Sequence, residues 1–191
     1  GDRFIMDPMS CSFDPQVLQC KAAASDTCLT AGEVETARAF YSGPTTRDGE
    51  PSFYGWLPGS EMPDAFGWSF LQKPVNDQPA FGSLFKWVFG AEWDWRGFDF
   101  DRDMPLVDQG LDAIVNDATR GSLADYAARG GKLIVFHGLA DTLVPPGQSV
   151  DFFERHAAQM GGASALAENA RLFVAPGMMH CGGGTGPDAF N

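Results

Sequence analysis

The chain has 191 residues, of which 44% are hydrophobic and 13% aromatic, so it has enough apolar material for the core of one domain. Its formal net charge of -12 argues against binding to nucleic acid or to an anionic membrane surface, because both depend on Lys and Arg. No apolar run reaches the roughly 18 to 20 residues of a membrane-spanning helix. The start, Gly1 to Arg3, lacks a signal-peptide pattern and is interpreted as a point inside a longer protein.

The four cysteines do not form a CxxC pair, which argues against a structural zinc site. Cys20 and Cys28 enclose a polar loop, QCKAAASDTC. This spacing suits a short disulfide in an oxidising compartment. Free buried thiols in a cytosolic protein remain the alternative.

Residues 1 to about 104 are irregular and rich in Gly, Pro and aromatic side chains. One helix is predicted there, over 31–42. Thr30 and Glu33 form a capping-box pattern before it, and Gly43 with Pro44 ends it.

Fourteen aromatic residues lie between Phe53 and Phe100, without a steady period of 2 or 3.6. This pattern predicts an irregular cap that is held together by large aromatic side chains. The five tryptophans of the chain all fall in this segment: Trp56, Trp68, Trp87, Trp93 and Trp95.

Asp99, Asp101 and Asp103 alternate like the first ligands of an EF-hand calcium loop. Such a loop needs Gly at its sixth position and Glu at its twelfth, where this chain has Met104 and Gly110. We therefore predict a solvated acidic turn.

From about residue 105 onward, helix and strand patterns alternate. A short helix from Ser122 is ended by Gly130 and Gly131. An apolar run then predicts a parallel strand at 133–136, covered on both faces. A helix at 148–160 and a second strand at 171–174 follow, giving the strand-helix-strand unit of an open α/β sheet.

Asp141 and His180 lie on the loops that follow these two strands, so we expect them within hydrogen-bonding distance at one sheet edge. There they suit the orienting acid and the general base of a hydrolytic triad, in the chain order of α/β-hydrolases. The alternative is structural, because an Asp in such a loop often caps a turn and a His often only bonds locally.

Three further residues are weaker candidates. His137, at a strand end, is expected to pack or to bond locally, and His156 lies on a helix flank. Ser149 is predicted to be a capping or first-turn residue, since no G-x-S-x-G motif occurs in the chain. Either the nucleophile lies upstream of Gly1 or the protein is not a serine hydrolase.

Two long motifs, GGKLIVFHGLADTLVPP and RLFVAPGMMHCGGG, resemble the signature of the tannase and feruloyl esterase family, which includes the PET-monoester hydrolase. The resemblance continues through NDATRGSLADY and DPMSCSFDP and so covers nearly the whole chain. It implies an α/β fold. Residues 105–191 would be the carboxyl-terminal part of an α/β-hydrolase core, and residues 1–104 part of an irregular, aromatic-rich lid.

The resemblance also implies roles for individual residues. Asp141 matches the triad acid of the family and His180 the triad base. Cys181 matches a cysteine that bridges to one beside the catalytic serine, and both of those partners lie upstream. Cys11 likewise matches a cysteine with an upstream partner, and the pair formed by Cys20 and Cys28 matches a disulfide of the lid.

A structural calcium ion is implied for the intact family enzyme, and no cofactor for catalysis. GDRFIMDP resembles the end of the family's calcium loop, with Asp2 and the carbonyl of Phe4 as remaining ligands. Arg3 departs from the family pattern, which has Gly there. We expect too few oxygens for Ca²⁺, which takes about 6 to 8.

The implied activity is hydrolysis of esters of aromatic acids, such as feruloyl or galloyl esters, through an acyl-enzyme on an upstream serine. The chain alone is therefore expected to be inactive, and the protein to be secreted or periplasmic. Its partners would be a small aromatic ester and either the amino-terminal remainder of the enzyme or a second copy. The alternatives are one piece of a split hydrolase and a non-catalytic module whose exposed tryptophans stack on sugars.

Overall fold

The computed structural model describes residues 3–61, 67–68, 82–115 and 123–188. Within these ranges, no helix has the length and hydrophobicity required to cross a membrane. The helices and strands are α1 (Ala31–Ser42), α2 (Lys86–Phe89), α3 (Phe100–Val115), α4 (Leu123–Ala128), β1 (Leu133–Gly138), α5 (Gly147–Gln159), α6 (Ala163–Ala167) and β2 (Ala170–Ala175). Single 3-10 turns occur at Pro15–Leu18, Gly82–Phe85 and Trp95–Gly97.

Helix α1 has the predicted bounds and the predicted capping box. The backbone N–H of Glu33 donates to Oγ1 of Thr30, and the backbone N–H of Thr30 donates to Oε2 of Glu33 at 2.7 Å. Gly43 ends the helix with a φ of 74°, a conformation that favours glycine. The helix packs Val34 inward.

Helix α3 corrects the prediction of a solvated acidic turn. Asp99 begins the helix, because its Oδ1 accepts the backbone N–H of Arg102 at 3.1 Å. Asp103 is buried, accepts the backbone N–H of Asp99 and pairs with the guanidinium of Arg102. The carboxylates of Asp99 and Asp103 therefore bind backbone N–H groups at the start of the helix, and Asp103 also binds Arg102. The helix continues past Pro105, through the point where the sequence composition changes.

The predicted strand-helix-strand unit is confirmed. Strands β1 and β2 pair in parallel, with Leu133 opposite Ala170 and Gly138 opposite Ala175, and α5 and α6 lie between them in the chain. The buried core under one face of this sheet contains Phe153, Leu166 and Ala170. Leu133, Val135 and Leu172 of the strands pack against it.

The prediction that β1 is covered on both faces is wrong for the chain as described. Ile134 is 72% exposed, and Phe136 and Phe173 are also exposed. Side chains alternate along a strand, and α5 and α6 cover the face of Leu133 and Val135. The opposite face of the sheet therefore presents large apolar side chains to solvent.

The described part of the aromatic segment forms two groups of packed rings and the separate pair of Phe53 with Tyr54. Residues 62–66 and 69–81 of this segment lie outside the described residues. In the first group, the ring of Phe40 on α1 lies 5.3 Å from Trp56 and 4.8 Å from Trp68. The second group consists of Phe85, Phe89, Trp93, Phe98 and Phe100.

Candidate active site

The loops that follow β1 and β2 are bound to each other directly at the end of the sheet. The N–H of Leu139 donates to the carbonyl of Ala175, and the N–H of Ala140 donates to the carbonyl of Met178 at 2.9 Å. Gly138 permits this approach, because a Cβ at that position would lie 2.3 Å from the carbonyl oxygen of Met178. These hydrogen bonds and the absence of a side chain at Gly138 together bring the two loops into contact.

Asp141 is 3% exposed and lies at the turn of the first loop. Its Oδ1 accepts the backbone N–H groups of Leu143 and Val144 at 2.8 and 3.0 Å. These bonds fold the loop back over the carboxylate and leave Oδ2 for other donors. The next carbonyl, that of Thr142, accepts the indole N–H of Trp56 at 2.8 Å and so joins the loop to the aromatic segment.

His180 lies on a tight loop between Met178 and Gly184, which form a bridge. Met178 and Met179 are buried and anchor the loop, and Cys181 after the histidine has a φ of 60°. Nδ1 of His180 lies 2.9 Å from Oδ2 of Asp141. The predicted hydrogen bond between the two residues is therefore confirmed.

The direction of this hydrogen bond follows from its partners. The pKa of Asp141 is lowered, so the ionised carboxylate is an acceptor, and Nδ1 of His180 must carry the hydrogen. Nε2 of His180 then has a free lone pair and makes no hydrogen bond to any residue in the described ranges. The His180 side chain is 39% exposed, so this nitrogen can meet a ligand. The pair has the geometry of an orienting acid and a general base.

Two opposing effects act on the Asp141 carboxyl. Burial raises its pKa, but hydrogen bonds from His137, Val144, His180 and Leu143 outweigh burial and hold the pKa below its ordinary value of 3.8. Asp141 is therefore ionised near neutral pH and can stabilise a protonated His180.

His137 contacts the same carboxylate, which the sequence reasoning missed. Its Nε2 lies 3.2 Å from Oδ2 of Asp141 and 3.0 Å from the carbonyl oxygen of Val144. A signal was present, because a His four residues before an Asp at a strand end can meet it when the loop folds back. Ser149 lies in the first turn of α5 as predicted, with its hydroxyl 2.7 Å from Nδ1 of His137. His156 is buried on α5, where it contacts Gln159.

The predicted disulfide between Cys20 and Cys28 is present. A bridge between Gln19 and Leu29 closes the same loop. Cys11 and Cys181 are free thiols in this chain, and Cys181 is exposed. That their partners lie upstream stays a prediction.

The calcium site that the sequence motif implied stays a prediction. Asp2 lies outside the described residues, and Phe4 lies against Gly177, where a Cβ would come within 2.6 Å of the Phe4 side chain. Across the described ranges, no three His, Cys, Asp or Glu side chains group as a metal site would require. We therefore assign no chemistry to a metal.

A model of the family described as "Tannase and feruloyl esterase" matches residues 1–191. The chain belongs to this family. An uncharacterized esterase of Xanthomonas campestris is 32% identical over 100% of the chain. The mono(2-hydroxyethyl) terephthalate hydrolase of Piscinibacter sakaiensis is 31% identical over 92% of it. The chain spans 38% and 34% of the lengths of these two relatives.

The family assignment agrees with the likeness to solved structures. The crystal structure of feruloyl esterase B from Aspergillus oryzae superimposes with a TM-score of 0.78 and 25% sequence identity. The match covers 95% of this chain and 38% of that one. The α/β fold is thus shared with esterases of the family.

Proposed function

We propose that this chain supplies the acid and the base of a carboxylic ester hydrolase that acts on esters of aromatic acids. The observation that carries the proposal is the hydrogen bond from Nδ1 of His180 to the buried carboxylate of Asp141, which leaves Nε2 of the partly exposed His180 side chain for a ligand. Relatives named as a terephthalate monoester hydrolase and as feruloyl esterases support the choice of substrate class.

In the proposed mechanism, Nε2 of His180 takes the proton of a serine hydroxyl as that oxygen attacks the ester carbonyl. The protonated imidazole gives the proton to the departing alcohol, which leaves an acyl-enzyme. Water then attacks the acyl group and loses its proton to His180, and the protonated imidazole returns that proton to the serine oxygen as the acid is released. Asp141 holds the ring in position and stabilises its positive charge throughout.

We propose that the serine and the oxyanion hole come from a segment outside these 191 residues. No G-x-S-x-G motif occurs in the chain, and Ser149 is a poor alternative. Its hydroxyl faces the buried His137, and its backbone N–H bonds the carbonyl of Pro146 rather than pointing at a ligand. The exposed apolar sheet face around Ile134 offers a surface for the amino-terminal remainder or a second copy.

A secreted or periplasmic location is part of the proposal. The disulfide between Cys20 and Cys28 supports it, because such bonds persist in oxidising compartments and are rare in the cytosol.

A non-catalytic sugar-binding module is not favoured by the tryptophans. Trp68 is buried, Trp56 and Trp93 pack in aromatic groups, and Trp95 lies beneath the guanidinium of Arg96. Trp87 is 68% exposed and belongs to neither group. The five rings therefore do not line an open face on which sugars could stack.

The test is hydrolysis of a chromogenic feruloyl ester by the purified chain. We expect no turnover by the chain alone, and turnover when the part of the Xanthomonas relative outside the match is added, after assembly is verified by native mass spectrometry. An aliphatic ester of the same alcohol is the control for substrate class. Assembly without turnover, or a preference for the aliphatic ester, would contradict the proposal.

A further inference from the structure

Asp141 is held by two histidines. Oδ2 of Asp141 lies 2.9 Å from Nδ1 of His180 and 3.2 Å from Nε2 of His137. His137 is itself 9% exposed and bonded on its far side to Ser149. The proposed mechanism uses His180 and Asp141 and gives His137 and Ser149 no part, although two hydrogen bonds and the 3.2 Å contact between His137 and Asp141 link the four side chains.

We propose that His137 is a positioning residue for the proposed acid and base, holding Asp141 in the orientation that fixes His180 as its Nδ1–H tautomer. The proposal rests on the proposed function for its catalytic meaning. The placement of the hydrogen atoms can be tested without turnover.

The tautomer of His137 follows from its neighbours. Nε2 faces two acceptors, the carbonyl oxygen of Val144 and Oδ2 of Asp141, so it must carry a hydrogen. Nδ1 faces the hydroxyl of Ser149 at 2.7 Å, which can donate to it. His137 therefore carries its hydrogen on Nε2 and His180 carries its hydrogen on Nδ1. One carboxylate holds two imidazoles in opposite tautomers.

The position of His137 explains why a second donor matters at this site. The two backbone N–H groups that bind Asp141 both contact Oδ1. Oδ2 is contacted by side chains, so His137 is the buried donor that sets its direction, while His180 is partly exposed. Without His137, we expect the carboxylate to rotate and His180 to populate the other tautomer.

In this proposal, Ser149 donates its hydroxyl hydrogen to Nδ1 of His137. The proposed nucleophile is still a serine outside these 191 residues. A nucleophile must lie where substrate can reach it, whereas the imidazole that the Ser149 hydroxyl meets has a side chain only 10% exposed. His137 also keeps its Nε2 hydrogen between two acceptors, which matches an anchoring role.

The experiment records long-range ¹H–¹⁵N spectra of the histidine-labelled chain at about pH 8, where imidazoles are ordinarily neutral. We expect His137 as the Nε2–H tautomer and His180 as the Nδ1–H tautomer. In His137→Phe, the ratio of Nδ1–H to Nε2–H at His180 should fall about tenfold, the change expected for one lost hydrogen bond.

Two variants make this result specific. His137→Gln keeps a donor and an acceptor on one side chain and should restore the parental spectrum of His180. His156→Gln removes the other buried histidine, which does not contact Asp141, and should leave both tautomers unchanged.

An Nδ1–H tautomer at His137 in the unaltered chain would overturn the proposal, whether or not any variant folds. So would a folded His137→Phe chain in which His180 stays entirely in the Nδ1–H tautomer. Opposite tautomers in a chain that never yields esterase activity would leave the positioning role intact and reject the proposed function instead.

Discussion

At the scale of single residues, the site is a buried carboxylate surrounded by donors. The positions of Asp141 and His180 after consecutive parallel strands were enough to predict their contact, because such loops meet at one sheet edge. The spacing of four residues between His137 and Asp141 was a signal for their contact, but the contact also depends on the path of residues 142 to 146. Hydrogen bonds from Leu143 and Val144 decide it.

Asp141→Asn tests the charge of this carboxylate. The pKa of Asp141 is depressed in the folded chain, so its ionisation stabilises the fold above the ordinary value of 3.8 and loses that effect as pH falls through the lower folded value. At neutral pH, we expect the variant to lose about 1 to 3 kcal/mol of unfolding free energy, since an amide nitrogen would face two donors.

Urea unfolding measured as a function of pH checks this expectation. The difference between the parent chain and Asp141→Asn should shrink as the pH is lowered below about 3.8. A difference that stayed constant, or that grew in acid, would show that the carboxylate charge is not what the site stabilises.

At the scale of helices and strands, the sequence predicted element bounds best where particular residues begin and end the element. Helix α1 has a capping box and a terminal glycine, and both its bounds were predicted. Helix α3 was missed because the alternating aspartates suggested a turn. The helix contains Pro105 as its sixth residue, and Asp99 and Asp103 bind backbone N–H groups at its start.

The two strands of the sheet and the helical connection between them were predicted correctly, but the prediction that both faces of β1 are buried was wrong for the described chain. Continuous apolar residues predict burial on both faces, and the sequence of β1 meets that pattern. Which elements actually cover each face depends on tertiary packing, and α5 and α6 cover one side of it. Ile134 and Phe136 are consequently exposed in the described chain.

Gly138→Ala tests whether the end of β1 must lie against the His180 loop. The new Cβ would lie 2.3 Å and 2.5 Å from the carbonyl oxygens of Met178 and Met179, which are backbone atoms that cannot simply rotate away. We expect a loss of roughly 1 to 3 kcal/mol in unfolding free energy, typical of overpacking.

Gly97→Ala is the matched control, because a Cβ there meets nothing within 4 Å. Thermal or urea unfolding of both variants measures the difference. In Gly138→Ala, the NMR signals of His180 should also shift. Equal stability in the two variants, with unchanged His180 signals, would mean that the loops do not require this close approach.

At the scale of the whole molecule, the chain combines an ordered acid-base pair with an apolar sheet face left open to solvent. The pair is recognisable from sequence because it lies on long family motifs. The open face is not, because the sequence of a strand does not record which neighbours are present. Both features agree with a chain that spans 38% of its Xanthomonas relative and whose proposed nucleophile lies elsewhere.

The most direct test of the central claim compares His180→Ala with the parent chain after each is assembled with the part of the Xanthomonas relative outside the match. Hydrolysis of a feruloyl ester should be present in the parent assembly and fall by at least about 10³-fold in His180→Ala, as expected for loss of a triad base. His156→Ala removes a histidine whose side chain is hydrogen-bonded to Gln159 instead of Asp141, and this variant should retain the parental rate. A His180→Ala assembly as active as the parent would contradict the account.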